Sequence, residues 1–197
     1  MIWAASQGHT DVVKILLNKG ANPLIEDDHG KTALVHALLK NHLQSAQLLY
    51  KGGADLNINL LYAAKRGFPE MVSYLLKQGA DHSWITEKQE TPLILASLAK
   101  NHKCAEILLK QGADPDWTDQ NSLSALNHAV MNGDLEMVNL LLVHSADPNS
   151  TGAQGNTSLM NAVSHGYPLI AQKLLESGAQ VDAVNPVSYT HLTLPTK

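Results

Sequence analysis

Two markers recur along this chain at one shared spacing, and that restricts its fold more tightly than any other feature. The first is an alanine closing a stretch that opens with Leu-Leu, at Ala21, Ala54, Ala80, Ala113, Ala146 and Ala179. The second is an alanine inside an apolar run, at Ala4, Ala37, Ala63, Ala96, Ala129 and Ala162. Both series advance by the same steps, four of them equal and the second one shorter by seven. Two rulers that agree through an irregular step mark six copies of one unit, and a period of about 33 residues is the signature of a repeat architecture. A unit this short cannot bury its own apolar stripe, so neighbours must stack.

Each unit reads as two short helices. Thr91-Pro92-Leu93 supplies a hydroxyl at a helix N-cap and a proline at the first helical position, where its missing N–H is harmless; Thr32, Ser124 and Thr157 take the same slot. The first helix is expected to end near Gly8, Asn41, Gly67, Lys100, Gly133 and Gly166, where a left-handed residue reverses the chain. Lys100 is the poorest fit to that role. The second helix opens with acids at the positive end of its dipole, Asp11, Glu70 and Glu136, and with Pro69 and Pro168 in its first turn. Val12, Val13, Leu16 and Leu17 form an apolar stripe at helical spacing. Gly20, Gly53, Gly79, Gly112 and Gly178 stop it, with Ser145 in the same slot. The chain has only 3 Trp, 5 Tyr and 1 Phe, so leucine and alanine must do the packing.

These residues resemble the ankyrin repeat, whose pattern runs Asp-x-x-Gly-x-Thr-Pro-Leu-His-x-Ala-Ala, a Gly-His turn, then Leu-Leu-x-x-Gly-Ala-Asp-x-Asn. The resemblance covers about residues 1–185 in six units. It departs from the pattern at the motif histidine, replaced by Val35, Ile94, Asn127 and Met160, and in having proline after only one of four hydroxyl slots. The fold it implies is an all-α ankyrin-repeat solenoid of stacked helix-turn-helix units, with short β-turn fingers along one edge.

Two stretches break the register. The one short step sets Leu60 almost directly after Leu56-Asn57-Ile58, removing the seven residues that would form a finger, so the third unit is expected to lack one. Pro186 to Lys197 continues no repeat and resembles the translation of a sequencing adaptor; it is expected to be a non-native, disordered tail, and it is set aside from the fold. The tail interrupts the last unit, and Met1 stands where the leucine of Thr-Pro-Leu belongs, so the first and last units are expected to be incomplete and the lack of a signal peptide carries no information on targeting.

Fourteen Lys and Arg against 18 Asp and Glu give a net charge of −4, which offers no overall basic field for nucleic acid or anionic lipid. Apolar runs fall far short of the roughly 20 residues that span a bilayer, so no membrane insertion is expected. Cys104 is the single cysteine, which suits a reducing, intracellular and cytoplasmic setting. Ten histidines raise the question of a metal, but His-Glu-x-x-His and Cys-x-x-Cys are both missing; His36 and His128 share a slot and are separated by repeats. No nucleophile motif or phosphate-cradling glycine loop occurs, so neither an enzyme nor a cofactor or metal site is expected.

The resemblance implies a scaffold that binds another protein through finger tips and the exposed, concave face of the first helices. Carried over by register, the finger candidates are Asp28, His29, Lys31, Glu87, Lys88, Glu90, Gln120, Asn121, Leu123, Gln154 and Asn156. On the first helices they include Lys40, Lys65, Arg66, Met131, Asn132 and His165. Trp84 and Trp117, one repeat apart in successive loops, are hot-spot candidates on the same edge. Lys40, Lys65 and Arg66 on an acidic protein point to an acidic segment with apolar anchors as partner, and no obligate homo-oligomer is expected. Two alternatives stand beside this reading: the target-recruiting arm of a larger enzyme or effector, and a structural spacer or tether.

Overall fold

In the computed structural model residues 1–152, 154–183 and 185 are described; the proposed tail, Pro186 to Lys197, lies outside them. Among the described residues are twelve helices: α1 Ile2–Ser6, α2 Thr10–Asn18, α3 Ala33–Leu39, α4 Leu43–Lys51, α5 Leu56–Arg66, α6 Pro69–Lys77, α7 Pro92–Leu98, α8 His102–Lys110, α9 Ala125–Met131, α10 Leu135–Val143, α11 Ser158–Ser164 and α12 Pro168–Glu176. Odd-numbered helices are the first of each repeat and even-numbered ones the second. The chain divides into two compact units, Met1–Ala63 with Glu70–Asp81, and Ala64–Pro69 with His82 onward.

Capping explains where four of the first helices begin. Thr32, Thr91, Ser124 and Thr157 hold extended backbone, and their hydroxyls accept from the N–H of Val35, Ile94, Asn127 and Met160 at 3.2 to 3.3 Å. Such a cap contributes about 1 kcal/mol. The helix α5 starts differently. Asp55, shortly after Gly52, accepts from the N–H of Asn57 at 2.7 Å and of Ile58 at 3.1 Å, so the chain passes from α4 into an 11-residue helix with no finger between.

Reversal at the end of each first helix uses a left-handed residue: Gly8, Asn41, Gly67, Lys100, Gly133 and Gly166 have φ between 58° and 74°. At three of these turns glycine is required twice over. A β-carbon on Gly8 would stand 2.7 Å from the His42 ring, one on Gly67 2.6 Å from Asn101 Oδ1, and one on Gly133 2.9 Å from Tyr167 Cζ. Each turn is thus covered by the side chain that directly follows the equivalent turn of the next repeat. Lys100 escapes this crowding because Asp134, in the covering slot, is turned instead to the N–H of Met137 and to His102, and the Lys100 ammonium donates to the Asn132 carbonyl at 3.0 Å.

Packing follows the expected helix pairs. In the first unit α1 packs on α2 and α3, and α4 on α2 and α3; in the second, α7, α9 and α11 pack in series, each on its own second helix, and α8, α10 and α12 pack in a parallel series. Leu34, Leu49, Leu60 and Leu75 in the first unit, and Leu93, Leu108, Leu126, Leu141 and Leu174 in the second, are fully buried, each contributing roughly 1.5 to 3 kcal/mol.

Buried polar groups tie neighbouring repeats within a unit. Thr32 donates to Asn59 Oδ1 at 2.8 Å. Asn127 forms a larger hub: its oxygen accepts from the Ser124 N–H and hydroxyl at 2.9 and 3.0 Å, and its nitrogen donates to the Ser150 carbonyl and the Ser158 hydroxyl at 3.3 and 2.9 Å. Every hydrogen-bonding position of that amide is used, as burial demands.

Candidate partner-binding site

Four hairpin turns project before the capped first helices. In the first unit the finger is Asp27–Lys31; in the second they are 86–90, Asp119–Leu123 and 152–156. Each closes with one hydrogen bond from its first N–H to its fifth carbonyl, at 3.0 to 3.3 Å. Each holds its fourth residue, Gly30, Gln89, Ser122 or Gly155, in the left-handed region.

What differs is how a finger is fastened to its helix. Asp27 Oδ1 accepts from the N–H of His29 and of Lys31 at 2.9 Å, while Oδ2 accepts from His36 Nε2 at 2.7 Å. Asp119 repeats the arrangement, with Asn121 and Leu123 N–H at 2.8 and 3.1 Å and His128 Nε2 at 2.9 Å. The Lys31 N–H and then the His36 bond hold the Asp27 carboxyl down at about 2. In the second finger Thr86 accepts the two backbone N–H groups and the helix slot carries Leu95. In the fourth the same two slots carry Gly152 and Asn161, which form no clamp.

A cleft of about 280 Å³ opens at that place, between the third and fourth fingers and the helices α9 and α11. Asn121 and Leu123 line it from one finger, Gly152, Gln154 and Asn156 from the next, and Met131 and Asn161 from the helices. A β-carbon at Gly152 would stand 2.7 Å from Leu123 Cδ2, so glycine lets the leucine lie against the backbone of the neighbouring finger. Among the described residues the side-chain amides of Asn121, Gln154 and Asn161 have no hydrogen-bond partner, while Asn156 Oδ1 accepts from Asn185.

The cleft therefore gathers Asn121, Met131, Gln154 and Asn156 from the residues expected at the site, with Leu123 beside them. Gly152 and Asn161 are additions to that set; their signal is a comparison of slots, because Asp27 and Asp119 align with Gly152 as His36 and His128 align with Asn161. Gln120 and Lys88 are exposed, and the Gln120 N–H donates to the Lys88 carbonyl at 3.0 Å, joining successive fingers. The Trp117 indole N–H donates to the Gln89 carbonyl at 2.9 Å, so this tryptophan braces the fingers while 39% of it stays exposed. Trp84 is 45% exposed.

The remaining candidates lie outside the cleft. Asp28, His29 and Glu87 are exposed, and Lys31 and Glu90 half-buried, Glu90 Oε2 accepting from the Thr86 hydroxyl. Asn132 is tied to the preceding repeat by donating to the Leu98 carbonyl at 3.3 Å. His165 Nδ1 donates to the Asn161 carbonyl at 2.8 Å and its ring stacks on Tyr167. Lys40 ends α3 in the first unit, Lys65 and Arg66 end α5 in the second, and all three are exposed.

Among the described residues no group of three His, Cys, Asp or Glu could hold a metal, and no helix is long and apolar enough to cross a membrane. Paired helices, left-handed turns and fingers define an all-α repeat protein. The family pattern described as "Ankyrin repeats (3 copies)" matches residues 1–59, 60–119 and 111–185, so the chain belongs to the ankyrin-repeat family, a family of protein–protein interaction modules. Similar proteins include the potassium channel AKT2/3 of Arabidopsis thaliana, 38% identical over 96 residues, which are 44% of this chain and 12% of the channel. The B-cell lymphoma 3 protein homolog of Mus musculus is 32% identical over 101 residues, 47% of this chain and 22% of that protein. Ankyrin repeat domain-containing protein 40 of Homo sapiens is 36% identical over 84 residues, 39% of this chain and 23% of that protein. The chain spans less than a quarter of the length of each.

Proposed function

We propose that this chain is a non-catalytic scaffold that grips another protein through the finger tips and first-helix surface of its second unit, centred on the cleft between the third and fourth fingers. The observation that carries this reading is the convergence of Asn121, Met131, Gln154 and Asn156 on one concavity, from two fingers and a helix. The His–Asp pairs are assigned a fastening role, since each joins a finger to its own helix. Within the second unit Lys65 and Arg66 are candidate contacts for an acidic stretch of the partner, and Trp84, Glu87 and Lys88 for its flanks; Lys40, Asp28 and His29 are separate candidate contacts on the first unit. A buried Cys104, the single cysteine of the chain, supports a reducing, intracellular setting.

The alternative role, a recruiting arm within a larger protein, draws on relatives of which this chain matches a small part. For either role the test is the same. A partner recovered by crosslinking to the full chain should lose at least about tenfold in affinity when Met131→Lys and Gln154→Ala are combined, because pocket contacts at an interface centre carry most of the binding energy. Lys110→Glu, on a second helix, should leave affinity within about twofold; equal losses from both would place the interface elsewhere.

A further inference from the structure

The cleft occupies the place of a fastening that two other fingers possess. Where Asp119 and His128 meet at 2.9 Å, both side chains are nearly buried and fill the corner between finger and helix. In the fourth finger Gly152 removes one of them entirely and Asn161 shortens the other, and the corner is open. Its volume, about 280 Å³, lies just below the roughly 300 to 1,000 Å³ of small-molecule sites and suits one large side chain.

The lining limits which side chain. None of the described lining residues is charged, so among them a buried Lys, Arg, Asp or Glu of a partner would lose its hydration with no counter-charge to replace it. A purely aliphatic group would seal off the amides of Asn121, Gln154 and Asn161 without satisfying them. A flat ring with a polar tip meets both walls: Leu123 and the Met131 thioether pack against its faces and edge, and the amides bond its hydroxyl or N–H. We infer that the cleft left by the missing Asp–His fastening is a receptor for a single tyrosine or tryptophan side chain presented by an extended segment of a partner protein. This rests on the reading of the chain as a partner-binding scaffold and adds the anchor that the scaffold selects.

The test uses random peptides displayed on phage, selected on the full chain and on the double variant Gly152→Asp/Asn161→His, which rebuilds the fastening of the third finger. Peptides enriched on the native chain should share one Tyr or Trp. They should bind the rebuilt variant at least about tenfold more weakly, with circular dichroism showing both proteins equally folded. Met131→Ala, which keeps the native finger, should weaken the same peptides at least about threefold and serves if the double variant is misfolded. Enrichment of a charged or aliphatic residue in place of the aromatic overturns the inference, as does equal binding to native chain and variants. A crosslinked partner that needs Lys40 or Trp84 but ignores the rebuilt corner would leave the scaffold reading intact while overturning the anchor.

Discussion

Two neighbouring fingers of the second unit, Asp119–Leu123 and 152–156, reach the same turn on different terms. Both place a left-handed residue fourth and close with the same backbone bond, and both form an isolated bridge just outside the turn, Thr118 with Ser124 and Thr151 with Thr157. The first adds a carboxylate that accepts from two of its own N–H groups and from a helix histidine; the second has no side chain at that slot. The turn is therefore a property of the backbone. What the aspartate contributes is attachment, and the two outcomes at that slot are a fixed finger or an open corner.

The comparison is broken most severely at the hub beneath both fingers. Asn127→Leu would strand the Ser124 N–H and the Ser158 hydroxyl in a buried setting, and urea unfolding should show a loss of about 3 kcal/mol. Next, Asp119→Ala should cost about 2 kcal/mol, since it removes three hydrogen bonds to a buried charged acceptor. Amide exchange should rise at Asn121 and Leu123, while Gly155 and Asn156 in the open finger stay unchanged; equal acceleration in both would show that the fingers move together.

Acid separates fastened from open fingers without a mutation. The Asp27 carboxyl is held at about 2 in the folded chain against an unfolded value of ~4. Its contribution is complete above the unfolded value and is lost as pH falls through the folded one. The His29 and Lys31 amide shifts should therefore hold steady from pH 5 to about 3 and then move with a midpoint near 2. Gly155 and Asn156 should show no such step. The smallest effect belongs to Lys100→Gly, which touches neither finger. It relieves a left-handed lysine worth roughly 1 kcal/mol but gives up the bond to the Asn132 carbonyl, for a net gain of about 0.5 kcal/mol by thermal unfolding.

The repeat, the paired helices and the hydroxyl caps were legible because Leu, Ala, Gly and Ser or Thr recur at fixed slots, each doing the same physical task in every copy. The start of α5 was not. Asp55 ends a Gly-Ala-Asp stretch that elsewhere leads into a loop, as at Asp114, and only the folded geometry reveals it as a helix cap. The finger fastening was hidden for another reason. Asp27 and His36 are nine residues apart across a turn, and each alone reads as an ordinary loop acid or helix histidine. The cleft was harder still, being the loss of both partners at once, which a scan for residues with chemistry passes over.

The covered glycine turns bear on how such an array changes by gain and loss of copies. His42 over Gly8, Asn101 over Gly67 and Tyr167 over Gly133 each join residues of consecutive copies. A crossover that inserts or removes one copy cuts between a turn and its lid, and sets a lid beside a turn it was not selected with. A Tyr167-like lid arriving over a Lys100-like turn would collide with a side chain, whereas an Asp134-like lid over glycine would leave a hollow. The segment that can be inherited intact therefore runs from one turn to the lid just past the next turn, two residues longer than the period itself, and viable duplications are those that carry the overlap.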